Sequence, residues 1–305
     1  DKLTYAGNTK NLKVLIDNFN LQLYKEDITD KNTIEQIIQD NSINHIINFA
    51  AESHVDRSIL DPHNFVKTNF EGTYNLLNQF TKHWLKNNSP KDWRFVHIST
   101  DEVFGSLGIK DNPFNENSCY QPRSPYSATK AGSDHLVMAW FHTYNLPTII
   151  SNCSNNYGPF QHPEKFIPKI IINSILGLDI PIYGKGKNIR DWLFVEDHVK
   201  ALEKIVLKAI PGSQYCIGGG DEISNIELVK KIVKILYSLN INTEGHGSIK
   251  YITDRPGHDF RYSIDFDLIK KDLQWEPKVN IDQGLIKTIN WYISNKDWWQ
   301  SQVLN

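Results

Sequence analysis

Phe95-Val96-His97-Ile98-Ser99-Thr100-Asp101-Glu102-Val103-Phe104-Gly105 starts as a short apolar, β-branched run and ends in hydroxyl and carboxyl side chains; one loop later come Ser124-Pro125 and Tyr126-Ser127-Ala128-Thr129-Lys130. The apolar run at 95–98 reads as a buried strand, and Ser-Pro as the cap and first turn of a helix. On that helix Tyr126 and Lys130 stand at i and i+4 and share one face, so the ammonium can lower the phenol's pKa and orient it as a proton acceptor. Tyr126 is therefore a candidate base on an alcohol. An adjacent acidic pair such as Asp101 and Glu102 is commonly a solvated loop. Here the pair follows Thr100 directly, where a substrate would lie, and two close carboxyls push each other's pKa values apart into an acid and a base. Elimination of water needs both.

Outward from this stretch, residues 21–24, 45–49 and 148–151 are further apolar or β-branched runs, separated by longer amphipathic segments. Such alternation predicts a doubly wound parallel α/β sheet. Asp30-Lys31 is expected to open a helix toward Asp40, and Asp61-Pro62 one that runs to Leu85. Ligands of doubly wound sheets bind at strand C-termini, which puts Asp1, Asp27, Ala50 and Thr100 on one edge. From Tyr157 onward the elements shorten, with Pro159, Pro163, Pro168, Pro181, Pro211, Pro256 and Pro277 as punctuation. A second, smaller lobe is expected there.

The 305 residues suffice for a large core, and a net charge of −2 offers no basic surface for nucleic acid or anionic membrane. Cys119, Cys153 and Cys216 are far apart, without Cys-x-x-Cys or His-Glu-x-x-His, so neither a disulfide framework nor a metal site is implied. No run approaches the roughly 18 to 20 apolar residues of a membrane span. Ser53-His54-x-Asp56 holds all three hydrolase triad residue types, but triads assemble from distant segments and no Gly-x-Ser-x-Gly elbow is present.

Five further segments carry a resemblance, Asp1-Lys2-Leu3-Thr4-Tyr5-Ala6-Gly7-Asn8, Ala50-Ala51-Glu52-Ser53-His54-Val55-Asp56, Asn152-Cys153-Ser154-Asn155-Asn156-Tyr157-Gly158-Pro159, Arg190-Asp191-Trp192 and Asp254-Arg255-Pro256-Gly257-His258-Asp259, together with Thr100-Asp101-Glu102 ordered before Tyr126 and Lys130. By these, nearly end to end, the chain resembles the dTDP-glucose 4,6-dehydratase family of the extended short-chain dehydrogenase/reductase superfamily. Phe104 stands where many relatives have Tyr, and Phe260 where a basic residue is common. Relatives begin with a strand and a glycine-rich turn that holds the cofactor pyrophosphate. No Gly-x-x-Gly-x-x-Gly precedes Asp1. The expectation is a chain that opens at the end of the second strand, its first β-α unit missing.

The resemblance implies a Rossmann-type sheet with a smaller interleaved α/β lobe. Residues 1–157, with 190–219 and part of 272–296 returning, would bind NAD; 158–189 and 220–271 would bind the sugar nucleotide. Asp1 would accept from the adenosine ribose hydroxyls, which prefers NAD over NADP, or is a loop or helix-capping Asp. Asp27 with Ile28 resembles the pair flanking adenine, or is structural. Lys2, Leu3, Thr4, Ala6, Gly7 and Thr68 are implied cofactor contacts, as are Ala50 and Ala51, small where the cofactor crosses. Ser53, Tyr126, Lys130 and Asn152 complete that set. For the substrate, Arg190 and Arg255 are the implied pyrophosphate clamp, with Asn225 and His258 beside them. Ser53, Thr100, Asn155, Lys165, Phe166, Ile167, Pro181 and Tyr183 are the implied sugar, phosphate and base contacts.

In the implied mechanism Tyr126, held by Lys130 and Thr100, takes the O4 proton as C4 gives hydride to NAD. Glu102 removes the C5 proton while Asp101 protonates the departing C6 hydroxyl. Hydride then returns to C6. The resemblance also implies a cytoplasmic homodimer joined by helices 61–85 and 125–144 in a four-helix bundle. Rival readings are a UDP-glucose 4,6-dehydratase, a sugar-nucleotide 4-epimerase or decarboxylase, and a noncatalytic scaffold on a degenerate dehydrogenase fold.

Overall fold

The computed structural model describes residues 1–241 and 247–303. The chain passes through α1 (Lys13–Asn18) and α2 (Lys31–Asp40) to β1 (His45–Asn48), then α3 (Val55–Leu60), α4 (His63–Phe65) and α5 (Gly72–Lys86), β2 (Arg94–Thr100), α6 (Pro125–Tyr144) and β3 (Thr148–Cys153). There follow β4 (Asn155–Tyr157), α7 (Phe166–Leu176), β5 (Ile180–Tyr183), β6 (Ile189–Phe194), α8 (Val195–Lys208), β7 (Gln214–Ile217) and β8 (Glu222–Ser224). Last come α9 (Asn225–Ser238), β9 (Ile249–Ile252), α10 (Asp267–Leu273), α11 (Ile281–Ser294) and α12 (Lys296–Val303).

The central sheet has the order β1-β2-β3-β7 and is parallel throughout. Residues two apart on a strand share a face. Phe95 and Ile150 therefore meet Leu77, Phe80 and Val137 of α5 and α6 on one side, while Val96 and Ile149 meet Ala201, Leu202 and Ile269 of α8 and α10 on the other. Two covered faces make the doubly wound α/β fold that the alternation predicted. The stretch 21–24, expected as a strand, is not one among the described residues. Its β-branched and aromatic content is a preference that becomes a strand only with a ladder partner.

Caps follow the sequence at two of three helices. Asp30 accepts from Asn32 N and Thr33 N at the start of α2, and Ser124 forms a capping box with Ser127 ahead of Pro125. Asp61 instead ends α3, its N–H on Arg57 O at 2.8 Å. The residue before proline is pushed out of the helical region, so the helix restarts at His63 and passes through a π turn, Val66–Glu71, into α5.

Beyond β3, β6 pairs in parallel with β4 and antiparallel with β8, and β5 pairs with β9. Ile171, Trp192, Ile232 and Leu285 join α7, β6, α9 and α11 in a separate apolar core. No helix among the described residues is long and apolar enough to cross a membrane.

Candidate active site

Thr100, the last residue of β2, caps a single 3-10 turn, Asp101–Phe104, by accepting from Glu102 N at 3.2 Å. The turn is closed by Gly105 at φ +92, where a Cβ would stand 2.6 Å from Gln121 O, so only glycine fits. Asp101 is 1% exposed, takes a hydrogen bond from the Thr100 hydroxyl at 3.2 Å on Oδ1, and leaves Oδ2 buried without a partner. Burial first, then the charges of Glu102 and Asp191, push its carboxyl well above the ordinary range. Glu102 forms part of the wall of a neighbouring cleft. Burial raises its carboxyl too, but Arg190 and Arg255 are the strongest forces drawing it back down.

Tyr126 sits in the first turn of α6, edge-on to Phe65 at 6.4 Å. Its phenol is driven well above its ordinary pKa by burial and then by Glu102, Cys153 and Asp101, with Thr100 opposing. Lys130 departs from expectation here. Its ammonium donates to Ile98 O at 2.6 Å and lies 3.3 Å from His97 Nε2. The i, i+4 spacing fixes the shared face, but a long lysine stem carries its charge to the nearest buried carbonyl.

Two clefts flank this centre. A smaller one, about 160 Å³, opens at the strand ends between Asp1, Lys2, Thr4, Ala6, Gly7, Asp27, Ile28, Ala50, Ala51 and Thr68. Gly7 is required there because a Cβ would meet Leu3 Cα at 2.7 Å. Asp1 and Asp27 offer carboxylates as acceptors, and Lys2 Nζ lies 3.7 Å from both Asp27 and Glu52. Acceptors of this kind beside the small Ala50 and Ala51 suit the hydroxyls and amine of an adenosine half. Leu3 is not among the wall residues and takes a left-handed φ of 50°.

A larger cleft, about 380 Å³, holds Ser53, Glu102, Asn155, Lys165, Phe166, Pro181, Tyr183, Arg190, Asn225, Arg255 and His258 together. Lys165 Nζ donates to Ser53 Oγ at 3.1 Å. Arg255 lies 3.5 Å from Asp56 Oδ1 and donates to His258 Nε2 at 3.2 Å, and His258 Nδ1 meets Asp254 Oδ1 at 2.6 Å. Burial and then Arg255 lower the His258 imidazole to about 4, so it is neutral with its proton on Nδ1. Arg190 is 6% exposed; it donates to Ile189 O and Asp259 O and stacks 4.2 Å over the Tyr262 ring, so much of its fork is used internally.

Besides Leu3 and the central Thr100, Tyr126 and Lys130, two implied contacts, Ile167 and Asn152, fall outside both clefts. The Ile167 side chain is sealed in the core behind α7. Asn152 is fully buried, donating to Thr100 O at 3.1 Å and accepting from Gln214 at 2.8 Å, so it braces the end of β2 with no atom free for a ligand. Ser53, His54 and Asp56 form no triad: His54 caps α3, and Asp56 accepts from Tyr183 at 2.9 Å. Asp56 and Glu164 are cleft residues that sequence reasoning missed as contacts. Glu164 accepts from Tyr5 at 3.0 Å, tying the first loop to the larger cleft.

A family model described as GDP-mannose 4,6 dehydratase matches residues 1–288. A dTDP-glucose 4,6-dehydratase of Escherichia coli is 49% identical over 98% of this chain and 87% of its own. The chain belongs to the dTDP-glucose 4,6-dehydratase family. Within that family the solved Bacillus anthracis enzyme, in complex with NAD, superposes with a TM-score of 0.86 at 40% identity, covering 99% of this chain and 89% of that one. The Streptomyces venezuelae dTDP-glucose 4,6-dehydratase DesIV, also with NAD bound, gives a TM-score of 0.90 at 39% identity, covering 99% and 88%.

Proposed function

We propose that this protein converts dTDP-glucose to dTDP-4-dehydro-6-deoxyglucose and water, with NAD in the smaller cleft and the nucleotide sugar in the larger. The observation that carries the reading is the pairing of Asp101 and Glu102 on one turn at the end of β2, where burial raises both carboxyls, Asp101 well above its ordinary range, and two guanidinium groups oppose the rise at Glu102. NAD, when bound, supplies a hydride acceptor for C4 and a hydride donor for C6. Asp1 and Asp27 would hold its adenosine half, and Tyr126 and Lys130 its reactive end. Tyr126 enters the step as a phenolate, the form that the Lys130 cation one turn along α6 favours, and becomes a phenol on accepting the O4 proton. With C4 a ketone the C5 proton is acidic. Glu102 takes it, Asp101 donates its proton to the C6 hydroxyl, and water leaves. Glu102 returns a proton to C5 as C6 is reduced, so no net oxidation remains. Arg255, turned toward Asp56 and His258, is the stronger candidate for the diphosphate, with Arg190 behind it.

Residues 1–157, 190–219 and part of 272–296 are read as the NAD-binding unit, and 158–189 with 220–271 as the nucleotide-sugar unit. The reading also takes in a cytoplasmic location and a homodimer through α5 and α6; for the dimer face, the support is Tyr74 and Tyr144, which are 48% and 46% exposed, and Leu85, 54% exposed.

The test is incubation with dTDP-glucose and, separately, UDP-glucose, with and without added NAD, following the 4-keto-6-deoxy product by mass spectrometry. The reading expects turnover of dTDP-glucose in preference to UDP-glucose. A 4-epimer, CO₂ or no product from either nucleotide overturns it.

A further inference from the structure

Behind Tyr126 lies a buried set of charges that takes no direct part in the proton transfers. Lys130 is 3% exposed. An ammonium that far from water persists only where a negative group answers it. The nearest answer comes through a ring. His97 Nε2 stands 3.3 Å from Lys130 Nζ and 3.4 Å from Asp134 Oδ1. Tyr126, Lys130 and Asp134 recur every fourth residue on α6 and so lie along one stripe.

Asp134 is 1% exposed and firmly held: its Oδ2 accepts from Ser99 Oγ at 2.6 Å, Tyr120 at 2.8 Å and Asn152 at 3.4 Å. Its Oδ1 has no hydrogen-bond partner and is the atom nearest His97. The other ring nitrogen of His97 lies 3.3 Å from Asn48 Nδ2, while Asn48 Oδ1 accepts from Ala50 N at 3.2 Å. That turns the amide N–H toward Nδ1 while the Lys130 ammonium lies at Nε2, and burial followed by the Lys130 charge drives the imidazole well below its ordinary pKa, so the ring is neutral. A neutral ring thus separates a buried anion from a buried cation.

We propose that Asp134, acting across His97, is the counter-charge that keeps Lys130 protonated, and is therefore a positioning residue for the Tyr126 step. The proposal rests on the reading that Lys130 serves Tyr126 in turnover. The groups facing Lys130 are His97 on β2, Cys153 on β3, and Tyr126 and Asp134 on its own helix; Tyr120, from the loop before α6, touches Asp134. Burial lowers the Lys130 ammonium and Asp134 is the strongest influence opposing that. Without the negative charge, Lys130 gives up its proton at lower pH, and the alkaline limb of the kcat profile moves down.

Asp134→Asn keeps an oxygen for the Ser99 and Tyr120 donors and removes the charge. With dTDP-glucose as substrate, kcat should fall on the order of tenfold at alkaline pH and recover as pH is lowered, with KM unchanged. Ser99→Ala weakens the same cluster without altering charge and should leave the position of the limb unmoved. A loss in D134N that is uniform with pH, or an equal limb shift in S99A, overturns the proposal. Urea unfolding gives a readout independent of turnover: with the pair intact as described, D134N combined with Lys130→Met should be more stable than D134N alone, because a lone buried charge is worse than none. A double variant no more stable than D134N also overturns the proposal. Should the wild type fail to turn over dTDP-glucose, the functional reading falls while this cycle still tests the pairing.

Discussion

Asp101 and Glu102 are consecutive residues whose carboxyl groups are pushed in the same direction to different extents. Asp101 is shut in with an unpartnered oxygen and is raised further by Glu102 itself; Glu102 borders the larger cleft, where Arg190 and Arg255 act against its burial. One backbone turn thus sets side by side a carboxyl held strongly toward its protonated form and another whose rise two guanidinium groups oppose, the acid and base that elimination of water demands.

Asp101→Asn should cost roughly 10²- to 10⁴-fold in kcat through loss of the general acid, and should also stabilise the fold. The folded pKa of Asp101 lies above its unfolded value, so the unfolded chain sheds that proton first, and the group's contribution to stability falls as pH rises above about 4. The amide has no such cost. Urea unfolding of D101N and wild type across pH should therefore give a stability gap in favour of the variant that widens with rising pH from that point. A gap that narrows is the contrary result.

Arg255→Ala should raise KM for dTDP-glucose by about 10- to 100-fold with a smaller effect on kcat, as expected for a charged fork holding a non-reacting diphosphate. Asp56→Asn should follow in the same direction but more weakly, because Asp56 positions both Arg255 and Tyr183. Initial-rate kinetics on the two variants check this. An effect confined to kcat would remove Arg255 from the diphosphate.

Arg261 ties three segments together: Nε and Nη2 donate to Glu222 at 2.6 and 2.8 Å, and Nη1 donates to Gly108 O and Asp111 O at 3.1 and 2.8 Å. Arg261→Ala should destabilise the fold by about 2 kcal/mol, since the carbonyls and the carboxylate lose one shared donor. Arg261 is also the main reason the Glu222 carboxyl lies below its ordinary pKa. The stability from that pair is present above about pH 4 and is lost as pH falls through the lowered value, so the variant should show a shallower acid limb in a Tm-versus-pH series.

Local chemistry made much of this legible in the sequence. The strand at 95–98, the Ser124-Pro125 cap, the acidic turn after Thr100 and most wall residues of the two clefts depend on neighbours a few residues away or on motifs that keep their order. What stayed hidden depends on distance along the chain. Asp56 takes its partner Tyr183 from 127 residues downstream, so no spacing rule could mark it. The resemblance implied Asn152 as a cofactor contact, yet the sheet consumes its amide on Thr100 and Gln214. His97 read as one polar letter in an apolar strand, and its place between Lys130 and Asp134 exists only once β2 is laid against α6. Residues 21–24 had strand composition but no partner to complete a ladder.

The division of labour between Tyr126 and Glu102 is tested most directly by a single turnover of dTDP-glucose with Glu102→Gln and Tyr126→Phe, following nicotinamide reduction by absorbance and the sugar by rapid quench and mass spectrometry. E102Q is expected to accumulate reduced nicotinamide and a 4-keto sugar that still carries its C6 hydroxyl, while Y126F accumulates neither. Dehydrated product formed by E102Q at the wild-type rate, or a 4-keto sugar formed by Y126F as fast as by wild type, would contradict the assigned roles.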